Sequence, residues 1–240
     1  MTDRTTFTER EAFLNELDEV ISRHAMLSHP FYQCWNEGKL SRNTLAQYAK
    51  QYYAHVRAFP TYVSATHANC DDLATRQMLL ENLIEEERGA ENHPELWLRF
   101  AEGLGVNRND VKQAELLDTT AESVSAIKQI TRSENYIEGV AALYAYESQI
   151  PEVARSKREG LKSFYGIEDD RSVAFFRVHE EADVDHRQME RSILSRQCES
   201  AEQRARALKA ADTSAKALWH FLDGVYAAYI EADSQQSAKA

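Results

Sequence analysis

The run His179-Glu-Glu-Ala-Asp183-Val-Asp-His186 holds the residue types best suited to chemistry in this chain. At about 100° per residue, His179, Asp183 and His186 fall within about 60° of one helix face. Two imidazoles and a carboxylate on one face make half of a metal site. The other half has candidates upstream. Glu86 and His93 stand seven residues apart, about 20° from alignment on an ideal helix, and Glu147 is a lone carboxylate at the end of the apolar run 140–146. A carboxylate in such a run must be paired, neutral or metal-bound. Three histidines and three carboxylates suit two first-row transition-metal ions, iron with iron or iron with manganese. Two divalent cations against three carboxylates leave positive charge to hold oxygen or an anion, and six protein ligands leave open positions.

Each group also has a plainer reading. Glu180, Glu181, Asp185 and Arg187 flank the motif as a solvated face would, whereas Phe175, Phe176, His179, Asp183, His186 and Glu190 form an inward stripe. Glu85 and Glu87 compete with Glu86 but sit about 80° and 120° from the direction of His93. Pro94 weakens that phase argument, because the residue before proline avoids helical geometry. A salt bridge to Arg155 or Lys157 would equally satisfy Glu147. His24, His29, His55, His67 and His220 have no ligand spacing and read as packing or surface residues.

Long helices must carry these groups. Thr8 and Glu11 have the spacing of a capping box, followed by Phe13, Leu14, Leu17, Val20 and Ile21 at helical period up to about Met26. Ser41 can cap a second helix bearing Leu45, Tyr48, Tyr52, His55 and Phe59, with Pro60 bending or interrupting it. Further helices are expected over about 73–92, from His93 to about Gly103, over 109–131, over 134–159 with a kink at Pro151, over 170–196 and over 201–230. Residues 160–166 read as a connection. The expectation is one all-α domain of seven or eight helices over residues 1–232, with a polar tail at 233–240 that frays.

Composition bounds the function. The chain has 240 residues, 8 Gly and 4 Pro, too little turn material for many strands. A net charge of −11 argues against a broad nucleic-acid surface. Three scattered cysteines without a CxxC pattern fit reduced thiols. No stretch approaches the roughly 18 apolar residues of a membrane span, and the start has no apolar signal core. The expectation is a cytoplasmic protein without nucleic-acid or membrane partners. A homodimer fits helical folds of this kind, although no surface patch can be assigned to it.

The order Glu86, His93, Glu147, His179, Asp183, His186 resembles the ligand pattern of the haem-oxygenase-like dimetal oxidases. It is most similar to the CADD subgroup, named for a chlamydial protein associating with death domains and acting in p-aminobenzoate synthesis. The likeness runs over nearly the whole chain, including His29-Pro-Phe-Tyr32-Gln-Cys-Trp-Asn-Glu-Gly-Lys39. The PqqC and TenA proteins share that fold but not the full metal set. The resemblance implies a haem-oxygenase-like helical bundle. It also implies an oxygen-dependent reaction, fed by an external reductant, that builds p-aminobenzoate from the protein itself. Tyr32 matches the sacrificed ring, Lys157 the amine donor, and Tyr48 and Tyr146 match tyrosines near that site that relay an electron or a proton. Such a chain turns over once. Read without the resemblance, each tyrosine is a half-buried packing aromatic and Lys157 a solvated surface lysine.

Two other enzyme readings stand beside this one. The first keeps the metals and oxidises an external small molecule. The second is a metal-free, PqqC-like oxidation in pyrroloquinoline quinone synthesis, which calls for a pocket rich in Arg and Lys. Binding to a death domain is a minor reading, since the sequence carries no docking motif.

Overall fold

The computed structural model describes the backbone of residues 2–231 and, apart from residues 2–8, 181, 182 and 184, their side chains. The expected tail at 233–240 lies outside the described residues. Among the described residues there are eleven α-helices: α1 (Thr2–Ser22), α2 (Pro30–Asn36), α3 (Arg42–Ala68), α4 (Leu73–Glu87), α5 (His93–Gly103), α6 (Arg108–Lys112), α7 (Asp118–Thr131), α8 (Tyr136–Glu147), α9 (Ile150–Gly160), α10 (Asp170–Gln197) and α11 (Ala201–Tyr226). Among the described residues there is no strand, and no helix is long and apolar enough to cross a membrane.

The all-helical expectation holds, but the helix number exceeds seven or eight for local physical reasons. The expected 109–131 helix is two helices, because the buried Gln51 of α3 ties up the backbone between them. Its side chain accepts from Leu117 N at 3.0 Å and from the Thr120 hydroxyl at 2.9 Å, and donates to Glu115 O at 2.9 Å. The expected 134–159 helix also divides, into α8 and α9. Pro151 lacks an N–H and its ring clashes with the carbonyl four residues back, that of Glu147, where α8 ends. The helix expected to reach residue 92 stops at Glu87, and Gly89 follows with a left-handed φ of +80°. Residues 30–36 form α2, which periodicity did not single out: the His29 Nδ1 accepts from Phe31 N at 3.0 Å as its cap, while Nε2 lies 3.0 Å from Asp223 Oδ1. α1 starts ahead of Thr8, so that residue is not its cap. The connection expected at 160–166 is a wide π turn, Leu161–Tyr165, continuing α9. α3 runs unbroken through Pro60, held by buried Phe59, Tyr62 and Val63.

The helices close around two cores. One is aromatic and central, built on Trp35, Tyr48, Tyr52, Trp97, Phe176 and Phe221. The other joins α1 to α8, α10 and α11 through small and branched residues such as Leu17, Val140, Ala141, Ile193 and Ala211. α10 packs along α9, α5 and α8, while α3 packs on α4, α5 and α7. These contacts bring the end of α4, the start of α5, the end of α8 and the middle of α10 together.

Gly160 sets how closely α9 meets α2. A Cβ there would lie 2.6 Å from Trp35 Nε1, and that indole N–H donates to Lys157 O at 3.2 Å. Helix propensity favours alanine by about 1 kcal/mol, but overpacking costs about 1–3 kcal/mol. G160A is therefore expected to lower the melting temperature and shift tryptophan fluorescence. A raised melting temperature would contradict this packing account.

Candidate metal centre

Four helices present the six expected ligands, and all six are buried. Glu86 lies in the last turn of α4 and His93 begins α5, whose preceding residue, Asn92, caps it by accepting from Glu95 N at 3.0 Å. Glu147 is the last residue of α8. His179, Asp183 and His186 line one side of α10, whose flanks are polar: Glu180 takes a two-pronged bond from Arg158 at 2.5 and 2.8 Å, and Asp185 is exposed. Ligand face and solvated face thus coexist on one helix.

The side chains fall into two triads, Glu86–His93–His179 and Glu147–Asp183–His186. Within each, the ligand atoms lie within 4.8 Å of one another. In the first, His93 Nδ1 is 2.7 Å from Glu86 Oε1 yet makes no hydrogen bond. The His93 and His179 rings are 4.3 Å apart. His179 Nδ1 donates to Phe175 O at 2.6 Å, which leaves the Nε2 lone pair free. In the second triad, His186 Nδ1 is 3.0 Å from Glu147 Oε1 and 3.5 Å from Asp183 Oδ1. Asn82 Nδ2 donates to both Glu147 oxygens, at 3.0 and 3.3 Å. Glu147 therefore pairs with His186 and Asn82, not with Arg155 or Lys157.

Two donors bound at about 2.1 Å and at right angles stand about 3 Å apart, the spacing found in both triads. Asp183 Oδ2 and His93 Nδ1 are buried without hydrogen bonds, as atoms awaiting a ligand would be. The residues present fit a pair of first-row transition-metal ions, each with imidazole and carboxylate donors. Burial and the neighbouring Glu147 and Glu86 charges raise the Asp183 carboxyl. Burial alone would lower His186, but Asp183 and Glu147 raise it strongly. Glu85, the rival of Glu86, is half-exposed and reaches His186 Nε2 at 3.0 Å.

Lys157, expected on its own at the surface, is 2% exposed. Its Nζ lies 4.5 Å from the Tyr52 ring centre, 5.1 Å from Tyr48 and 5.6 Å from Tyr32. Burial lowers its pKa to about 7, so much of the amine is neutral near neutrality. A cavity of about 30 Å³ joins Lys157 to Glu86, His93, Glu147, His179 and Asp183, and Tyr52 and Tyr146 also line it. Tyr146, which an ideal helix turns about 100° from Glu147, thus shares its cavity. Tyr32 and Tyr48 are fully buried behind that wall. Their hydroxyls are 3.3 Å apart, Tyr48 stacks on Tyr52 at 5.5 Å, and the Tyr52 and Tyr146 hydroxyls are 2.9 Å apart. A ladder of four phenols therefore runs from Tyr32 to the residue beside Glu147.

Sequence reasoning missed Tyr52 as a member of this ladder, although its place one turn after Tyr48 was a signal. It also passed over Glu190, one turn beyond His186 on the same stripe and fully buried. His55, read as packing, sits among these rings, 5.8 Å from Tyr52 and 6.1 Å from Tyr146. Burial pushes its pKa down to about 3 and keeps it neutral.

Comparison with known proteins agrees with this geometry. A sequence model of the family described as iron-containing redox enzymes matches residues 46–219. A 4-aminobenzoate synthase (the p-aminobenzoate of the sequence reading) from Nitrosomonas europaea is 42% identical over 226 residues, covering 90% of this chain and 92% of that one. A pyrroloquinoline-quinone synthase from Rhizobium meliloti is 25% identical, covering 94% and 89%. Among solved structures, a TenA homologue from Pseudomonas syringae pv. tomato superposes with a TM-score of 0.74 at 18% identity, covering 90% and 91%. That likeness carries the fold.

The lysine gives a test in metal-free protein. An unfolded lysine titrates near 10.4, above the folded value of about 7. The unfolded chain therefore binds the extra proton between these values, and wild-type stability rises with pH across that window. K157M is expected to be more stable than wild type at pH 7, by about 4 kcal/mol at most, with the advantage shrinking towards pH 10. Paired thermal melts read this difference, and an advantage independent of pH would contradict the buried-amine account.

Proposed function

The chain belongs to the family of iron-containing redox enzymes, and on that premise we propose that it makes 4-aminobenzoate by an oxygen-dependent oxidation of its own side chains. The protein is an oxidoreductase, and the 42% identity to a 4-aminobenzoate synthase supports the product. One observation carries the self-consuming form of the reading. The space that five of the six candidate ligands share with Lys157 is about 30 Å³. That is room for a water or a diatomic gas, whereas pockets for external organic ligands run to roughly 300 Å³ and more. An aromatic ring and an amine are already inside.

The chain's own groups divide the work. Glu86, His93 and His179 would hold one ion, and Glu147, Asp183 and His186 the other. When bound, a pair of iron ions, or iron with manganese, supplies the reduction of dioxygen with electrons from an external reductant. Tyr32 supplies the ring, and the tyrosines at 48, 52 and 146 form its path to the cavity. Each phenol in that path is buried, and burial raises it far above its usual range, so its proton must leave together with its electron. The paired hydroxyls give that proton a partner at each end of the ladder. Lys157, partly neutral and within 5.6 Å of the Tyr32, Tyr48 and Tyr52 ring centres, is placed to serve as the nitrogen source. Trp35 fixes the backbone at that position. Surrounding aromatics keep bulk water from the reactive ring.

The quinone-type alternative is less well supported. Its pocket should be rich in Arg and Lys, while the cavity wall carries a single cation, Lys157.

Reconstitution tests the proposal. Protein grown with ring-labelled tyrosine, then given iron or iron plus manganese, reductant and oxygen, but no aromatic precursor, should release labelled 4-aminobenzoate at no more than one per chain. Y32F should release none, and K157M should release none. Repeated turnover of an added compound, or unchanged product from Y32F, would overturn it.

A further inference from the structure

Glu190 is 0% exposed, on the α10 stripe that carries His179, Asp183 and His186. Neither of its buried carboxylate oxygens accepts from an N–H or hydroxyl donor among the described residues, and its close polar neighbour is another carboxyl, that of Glu147. Its ionisable neighbours are Glu147, which it abuts, and Asp183. Among the described residues no Lys or Arg pairs with it, and His186, one turn away on the same helix, is already shared by Glu147 and Asp183. A carboxylate in this position costs several kcal/mol unless something compensates it. The neighbouring Asp183 Oδ2 is likewise buried and unbonded. Glu190 and one oxygen of Asp183, about two turns apart on α10 and both close enough to Glu147 to feel its charge, mark one place short of positive charge.

From this we propose that Glu190 is a fourth protein ligand of the ion held by Glu147, Asp183 and His186. The inference rests on the dimetal reading and deepens it. It makes the two sites unequal: the first has one carboxylate and two imidazoles, the second three carboxylates and one imidazole. The second is then oxygen-rich, with fewer positions left open. The first keeps its open side toward the cavity it shares with Lys157, because Glu86, His93 and His179 all line that cavity. His186 and Glu190 do not, so the fourth ligand closes the far side of the second ion.

Anaerobic equilibrium dialysis of the full chain against iron(II), read by elemental analysis, tests both layers. Wild type is expected to bind two equivalents, and fewer than two would defeat the dimetal reading itself. E190Q keeps the shape and removes the charge. It should bind one equivalent with wild-type affinity and the other at least about 100-fold more weakly, since even outer-shell changes at metal sites cost about 10–100-fold. E190D, which retains the charge one methylene shorter, should bind the second equivalent better than E190Q. Two wild-type equivalents in a folded E190Q would overturn the assignment, as would equal weakening of both.

Discussion

Four carboxylates, Glu86, Glu147, Asp183 and Glu190, lie inside a helical bundle where aromatic and aliphatic side chains fill the surrounding space. Charge buried in low dielectric is tolerated only where opposite charge or hydrogen bonds meet it. Here the protein offers two imidazoles, His93 beside Glu86 and His186 shared by Glu147 and Asp183, and one amide, Asn82. That shortfall gives the positions of α4, α5, α8 and α10 a chemical purpose. Each delivers an acid or an imidazole to a place where the fold alone leaves them undercompensated, a shortfall that a pair of metal ions would fill.

The same burial acts on the basic side of the cavity. Lys157 sits over three phenol rings with no carboxylate to pair with, so desolvation releases its proton near neutrality. A lysine at the surface would stay protonated and inert as a nucleophile. The helix break at Pro151 and the close approach at Gly160 therefore belong to the chemistry as much as to the fold. They aim α9 so that an amine, two tyrosines and five of the six acid and imidazole groups line one small cavity.

How far the sequence revealed this depends on where each residue sits. His179, Asp183 and His186 were legible because α10 is one unbroken helix and periodicity within it is reliable. Glu147 was legible as a carboxylate out of place in an apolar run. Glu86 and His93 were found by a phase argument that does not apply, because they lie on separate helices; the loop between them restores their proximity. Glu190 and Tyr52 were in view but undistinguished, since a stripe residue acquires a role only when its neighbours on other helices are known. Lys157 could not be projected past Pro151. The split between α6 and α7 was hidden for a similar reason: the Gln51 side chain that stabilises it comes from a distant part of the chain. Tyr32 and Lys157 owe their proposed roles to family resemblance, and the structure adds that they lie within reach of one another.

The account depends first on two ions among these side chains. Crystals of the metal-loaded protein, with anomalous diffraction recorded on both sides of the iron and manganese edges, measure that directly. Two peaks are expected in each chain, one among Glu86, His93 and His179 and one among Glu147, Asp183 and His186. A single peak, or none within bonding distance of these six residues, would contradict it.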